Sequence, residues 1–136
     1  MQLDPSAFVA DPELVQALEE RATPIDCTAD RVLFRQGECA VGLFLLRSGQ
    51  AMVTMDSNSG QAIVAVQTSA GSLLGLPALV GSQPYSLTAI ARAGSDVGFI
   101  AREEFDSFMQ TSPPLAFKIL QVLAAEVSAA RRAISI

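Results

Sequence analysis

The 136-residue chain has no histidine, no tryptophan, one tyrosine and two cysteines. Without histidine it lacks the commonest general base and the commonest metal ligand, which argues against a hydrolase or a zinc enzyme. Cys27 and Cys39 are too few and too far apart for a thiolate cage, and both lie in β-like surroundings that read as sites for buried free thiols. No metal is expected. Basic charge is sparse: nine Lys and Arg stand against fourteen Asp and Glu, for a net charge of −5. Nucleic-acid binding needs clustered cations to replace counterions, and Arg131-Arg132 is the only adjacent basic pair. Direct nucleic-acid binding by this chain is therefore not expected. No apolar run approaches the ~20 residues that span a bilayer. The opening "MQLDPSAFVADPEL" has acids and prolines where a secretion signal needs a basic start and an apolar run. The expectation is a cytoplasmic protein that makes no membrane contact.

What the chain does have is apolar surface to bury: 50% of its residues are hydrophobic and 17% charged, enough for one domain with one core. Three regions follow in order: a helical segment at 1–24, a β region at 25–100 and helices at 101–136. Asp11 caps the first clear helix, Pro12 suits its first turn, and "PELVQALEERA" places Leu14, Val15 and Leu18 on one side. Pro24 is read as its end. Short apolar runs then alternate with turn residues: "TPIDCT", "RVLFRQGE", "GLFLLRSGQAMVTMDS", "QAIVAVQTS", "SLTAIARAG" and "DVGFIAREE". That spacing predicts an antiparallel sandwich or barrel, with "DSNSG" at 56–60 as a hairpin turn. "REEFDSFMQTS" predicts a short helix with Phe105, Phe108 and Met109 inward, and Ser112 caps a longer helix that starts at Pro113-Pro114.

That last helix is apolar on two sides. Leu120, Leu123, Val127, Ala130 and Ile134 recur at alternating steps of three and four, which is heptad spacing. Leu115, Ile119 and Val122 cover the neighbouring face. Two apolar faces call for two partners. One is the chain's own β region, and the other is expected to be the same helix of a second copy, in a parallel homodimer. Packing of both faces within one monomer is the alternative.

The stretch "GSLLGLPALVGSQPYSLTAIA" at 71–91 has three glycines and two prolines, with Tyr85 as its only ionisable side chain. Glycine-rich segments that converge backbone N–H groups often hold anions. "LFRQGECAVGLFLLRSGQAMV", with Gly37, Gly42, Phe44 and Gly49, and "SDVGFIAREEFDSFMQTSPPLAFKILQVLA" flank it in an order that resembles the cyclic nucleotide-binding domain. The likeness extends to the sensor halves of bacterial catabolite-activator and fumarate–nitrate type transcription regulators. The resemblance covers about residues 12–136 and implies a mainly β jelly-roll barrel of eight strands, N-terminal helices and a long C-terminal dimerisation helix. In those regulators a helix-turn-helix domain follows. None lies in these 136 residues, so the chain is read as a single domain without a DNA-binding domain.

The resemblance places the family's phosphate-binding cassette at this stretch. There a Gly-Glu pair opens a short helix, and a Pro-Arg-Ser/Thr-Ala segment follows. Arginine and helix N–H groups take the cyclic phosphate, while glutamate accepts the ribose hydroxyl. Gly75, Ala78, Pro84 and Ser86 keep the frame, but Leu76 replaces the glutamate and Tyr85 the arginine. A lost charge-assisted bond is worth about 1.5–3 kcal/mol. With the second contact gone as well, affinity for cyclic AMP or cyclic GMP is expected to fall by roughly two to four orders of magnitude.

Gly75, Leu76, Ala78, Tyr85 and Ser86 are thus the candidate effector-site residues, with Arg92 or Arg47 as cations that reach in from elsewhere. Each has a plainer reading as well. Tyr85 either stacks on a ligand or packs, Leu76 either lines an apolar pocket or fills the space of a nucleotide, and Ser86 is either a ligand donor or a turn hydroxyl. Relatives that sense oxygen or bind haem use cysteine clusters or His, Cys or Pro ligands, and haem is not expected here. An exposed redox thiol at Cys39 is the minor alternative. Two functions remain open: a regulatory module with a small-molecule effector, weak or silent toward standard cyclic nucleotides, or a ligand-free dimerisation module whose pocket is filled by its own side chains. An enzyme is not expected.

Overall fold

The computed structural model of the chain describes residues 3–57, 59 and 61–134, without the side chains of 62–64, 133 and 134. Asp4 caps a single 3₁₀ turn, Pro5–Phe8, by accepting from the Ser6 N–H at 3.0 Å. Helix α1 (Pro12–Glu19) starts as its residues require: Asp11 accepts from the Leu14 N–H at 2.8 Å, and Pro12 takes the first position, where no N–H is needed. Leu14 and Leu18 are fully buried. Pro24 does not end this helix. The helix stops at Glu19, and Pro24 lies in the edge strand β1 (Thr23–Ile25), a position where a missing N–H is tolerated.

The strands that follow are β2 (Arg31–Phe34), β3 (Gly42–Ser48), β4 (Ala51–Asp56), β5 (Ala62–Thr68), β6 (Leu73–Leu74), β7 (Thr88–Ala91) and β8 (Asp96–Ala101). Eight strands form two antiparallel sheets, in the orders β1-β8-β3-β6 and β2-β7-β4-β5. The jelly-roll character is as expected, but the roll is not a closed barrel. Its sheets have separate edges, and one edge is only the two-residue β6. The long "GLFLLRSGQAMVTMDS" run divides at Gly49, whose φ of +89° turns the chain from β3 into β4 and from one sheet to the other. The "DSNSG" turn is described in part: the Ser57 N–H donates to the Gln61 carbonyl at 2.7 Å, while Asn58 and Gly60 lie outside the described residues.

β3 lies between two cores. Phe44 and Leu46 enter the roll interior with Phe34, Val53, Ala89 and Val97. Leu43 and Leu45 face the other way, into a second core with Leu14, Leu18, Ile100, Phe105 and Ile119. A strand covered on both faces reads as an unbroken apolar run rather than an alternating one. The second core is capped by α3 (Arg102–Thr111) and α4 (Pro113–Ile134). Phe105 and Phe108 are buried as expected, and Met109 is half-buried. Between β6 and β7 lies the short helix α2 (Leu76–Gly81).

Alanine at Gly49 would put its Cβ 2.4 Å from Ser95 Oγ and 2.8 Å from Ser95 Cα, on a left-handed backbone. Gly37 has the same kind of backbone, with a φ of +92° and open space beside it. Gly37→Ala therefore adds strain alone, roughly 1–3 kcal/mol, whereas Gly49→Ala adds a clash as well. Thermal unfolding of the two variants is expected to show a clearly larger fall in Tm for Gly49→Ala.

Candidate functional site

The cassette stretch folds around Gly75, the residue before α2, whose φ is +93°. A side chain there is excluded for a second reason: its Cβ would lie 2.9 Å from Tyr85 Cε1. Tyr85 is 2% exposed and turned into the roll. Its ring stacks on Phe34 with centroids 4.0 Å apart and planes 20° apart. Its hydroxyl donates to the Gly42 carbonyl at 2.8 Å and accepts from the Val41 N–H at 3.1 Å and the Gly42 N–H at 3.3 Å. The hydroxyl's one donor and two acceptor sites are thus all occupied by backbone. Nothing is left over for a ligand.

Leu76 is fully buried, but it belongs to the helix-side core rather than to the roll interior. Ala78 lies in the roll core together with Tyr85. Ser86 is exposed at the rim. Space of only about 10 Å³ remains among Phe34, Val53, Gly75, Tyr85, Ser86 and Glu126, about what one water needs. The residues predicted for an effector site are therefore brought together in part. Gly75, Ala78, Tyr85 and Ser86 border this small space, whereas Leu76 turns away from it. Neither arginine considered as a substitute cation borders it. Arg47 is paired with Glu19 at 3.5 Å and Asp96 at 3.6 Å, and Arg92 is exposed just past β7. Arg102, which sequence reasoning passed over, ties the site down by donating to the Leu79 carbonyl at 3.2 Å and the Ala40 carbonyl at 3.4 Å.

A larger cavity adjoins this space. Of about 300 Å³, it runs between the 3₁₀ turn, Met55 of β4, the Ser86-Leu87 segment and α4. Glu126 borders both spaces. Nothing in its spacing on α4 distinguished it, because a lone acid on a surface helix is ordinary. It is nevertheless 7% exposed, and its Oε1 has no hydrogen-bond partner among the described residues. Burial alone pushes its carboxyl up to about 8.

The cysteines differ from expectation in one respect. Cys27 is buried, and burial raises its thiol, but Cys39 is exposed. It follows the Gln36-Gly37-Glu38 turn and precedes β3, so its side chain has no sheet to pack against.

A model of the cyclic nucleotide-binding domain family matches residues 24–112, well over half of the chain. The chain belongs to the cyclic nucleotide-binding domain family. A search of curated proteins finds no match. Among solved structures, the Thermus thermophilus catabolite activator protein superposes with a TM-score of 0.77 at 21% identity, over 93% of this chain and 60% of that one. The present chain thus spans less than two thirds of that protein. The sensor domain of the transcriptional regulator DNR from Pseudomonas aeruginosa gives a TM-score of 0.67 at 22% identity, over 93% of this chain and 85% of that one. The N-terminal domain of a Streptomyces coelicolor transcriptional regulator gives 0.66 at 17%, over 97% and 92%. At these identities the likeness is one of fold.

Glu126 makes the stability of this cyclic nucleotide-binding domain depend on pH. The folded carboxyl keeps its proton up to about pH 8, whereas the unfolded one ionises near 4.5. Stability is therefore flat below 4.5, falls as pH rises between these values, and levels off above 8. The fall is of order 3–5 kcal/mol. With no histidine in the chain, few other groups titrate in that window. Urea unfolding at about pH 5 and about pH 8 is expected to show this loss in the parent and a nearly flat profile in Glu126→Gln.

Proposed function

We propose that the chain is a regulatory domain of a bacterial signalling or transcription-regulator protein, cytoplasmic and non-enzymatic, that does not respond to standard cyclic nucleotides. The observation that carries this reading is the closed cassette. In place of the family's arginine stands Tyr85, buried, stacked on Phe34 and hydrogen-bonded to backbone on all sides. A phosphate entering here would meet no cation and would lose its water. The space beside Tyr85, about 10 Å³, is also too small for a phosphate, and the adjoining cavity that shares Pro77, Ser86 and Glu126 with it has apolar walls. Thermal unfolding with millimolar cyclic AMP or cyclic GMP is expected to show no shift in Tm. A rise of several degrees, the mark of a ligand well above its Kd, would overturn the reading.

Output would run through α4. Ile119, Val122 and Ala129 are buried on the chain's own domain, and Leu123 and Ala130 are half-buried there. Phe117, Leu120 and Val127 are 60%, 48% and 41% exposed, and with exposed Ala124 they recur at steps of three, four and three. This stripe departs from the predicted one. Leu120 and Val127 are shared, Phe117 and Ala124 take the places of Leu123 and Ala130, and the Ile134 side chain lies outside the described residues. The stripe fits a parallel pairing with a second α4, whose arrangement an effector would shift. Sedimentation velocity is expected to give a homodimer for the parent and a monomer for Leu120→Asp, which would bury an unpaired charge in the pair.

The small volume left in the cassette also suits a second reading, a ligand-free dimerisation module. The adjoining cavity beneath α4 favours the first.

A further inference from the structure

The larger open space in this domain adjoins the cassette, whose Pro77 and Ser86 stand in its wall. The cavity of about 300 Å³ beneath α4 is at the low end of small-molecule sites, which span roughly 300–1,000 Å³. Its walls are apolar and come from distant parts of the chain: Leu3 and Phe8 at the N-terminal segment, Met55 on β4, Leu87 before β7 and Ala130 on α4. Three groups among the residues bordering it and the small space beside it are charged or titratable. Tyr85 is spent on Gly42 and Val41, Arg131 is exposed to solvent at the rim, and Glu126 is buried with an unpartnered oxygen.

A buried carboxyl without a partner is expensive for a fold to keep, and native structures rarely leave one unexplained. Glu126 borders the one apolar cavity large enough for a small molecule among those that meet at this point. The chemistry of the missing partner follows from the group. An anion would meet a carboxyl in a dry site. A neutral alcohol would share one hydrogen bond and leave the carboxyl protonated. An ammonium N–H forms a charge-assisted bond, roughly twice as strong as a neutral one, and an apolar tail fills the remaining volume.

We propose that the cavity beneath α4 is a binding site for a hydrophobic organic amine, its ammonium group paired with Glu126 and its apolar body lying among Phe8, Met55, Leu87 and Ala130. This rests on the regulatory reading above and names the effector class for it. The proton balance is simple. The amine arrives as R–NH₃⁺ and remains so, the Glu126 O–H bond breaks, and that one proton leaves to solvent as the carboxylate pairs with the ammonium. Because Glu126 and Ala130 sit on α4 while Met55, Leu87 and Phe8 belong to the roll and the N-terminal segment, a bound amine bridges α4 and the roll.

Isothermal titration calorimetry of the full chain near neutral pH, with tryptamine and phenethylamine as probes, tests the assignment. Expected are binding of at least one amine, release of close to one proton per ligand (read from the dependence of the heat on buffer ionisation enthalpy), and at least about tenfold weaker binding of tryptophol, the matching alcohol. Glu126→Gln should weaken amine binding at least about tenfold and abolish the proton release. Ala130→Phe, which fills the cavity and leaves the carboxyl in place, should also block binding, and it decides the matter if Glu126→Gln does not fold. No binding by either amine at millimolar concentration overturns the assignment, as does binding that both variants leave unchanged. Cyclic AMP run in parallel separates the two claims. Binding of cyclic AMP defeats the reading that the domain is silent toward standard cyclic nucleotides, whereas silence of both amines and nucleotide defeats only the amine site.

Discussion

Everything in this domain is built around β3, a strand with no solvent face over its first five residues. Phe44 and Leu46 fill the roll, Leu43 and Leu45 hold the helices, and the backbone pairs with β8 on one side and β6 on the other. With ~1.5–3 kcal/mol gained for each large apolar side chain buried, these residues join two cores that would otherwise be independent. Gly42 opens the strand under the same constraint. Its Cβ would lie 2.4 Å from the Ile100 carbonyl, and its peptide groups receive the Tyr85 hydroxyl.

The last contact explains what holds the glycine-rich stretch before β7 in shape. Glycine before α2 leaves room for an aromatic ring, and the ring's hydroxyl satisfies backbone groups at the start of β3. The loop is thus held in shape by a buried side chain of its own. The free volume then lies toward α4, between the same elements and lined by different chemistry.

α4 carries three roles on three faces. Ile119 and Val122 anchor it to the helix-side core, Phe117, Leu120 and Val127 remain in solvent, and Glu126 looks into the space beneath. A ligand that engages Glu126 would shift this helix only to the extent that it binds two arrangements of α4 with different affinity.

Much of this was legible in the residues themselves. The Asp11 cap, the apolar runs, the Phe105 and Phe108 face and the start of α4 at Pro113 all depend on local periodicity and on single-residue backbone chemistry, and these act within a few positions of the chain. That positions 76 and 85 carry no carboxylate or guanidinium was visible because charge is a property of residue type. What sequence alone could not supply depends on which surfaces meet. β6 is two residues long and has no pattern of its own. Leu76 and Tyr85 are both buried, yet they enter different cores on opposite sides of the sheet. The two apolar lines on α4 could be seen, but which of their residues faces water was decided by the angle at which the helix lies on α3 and the roll. Glu126 is the clearest case. As a residue it is an ordinary helix-surface acid, and only burial by elements about 40 to 120 residues away in the chain makes it an unpaired carboxyl at a cavity wall. Composition and local pattern determined what this chain could bury and which chemistry it lacks. Tertiary packing decided which group was left without a partner, because desolvation is set by neighbours in space and not by neighbours in sequence.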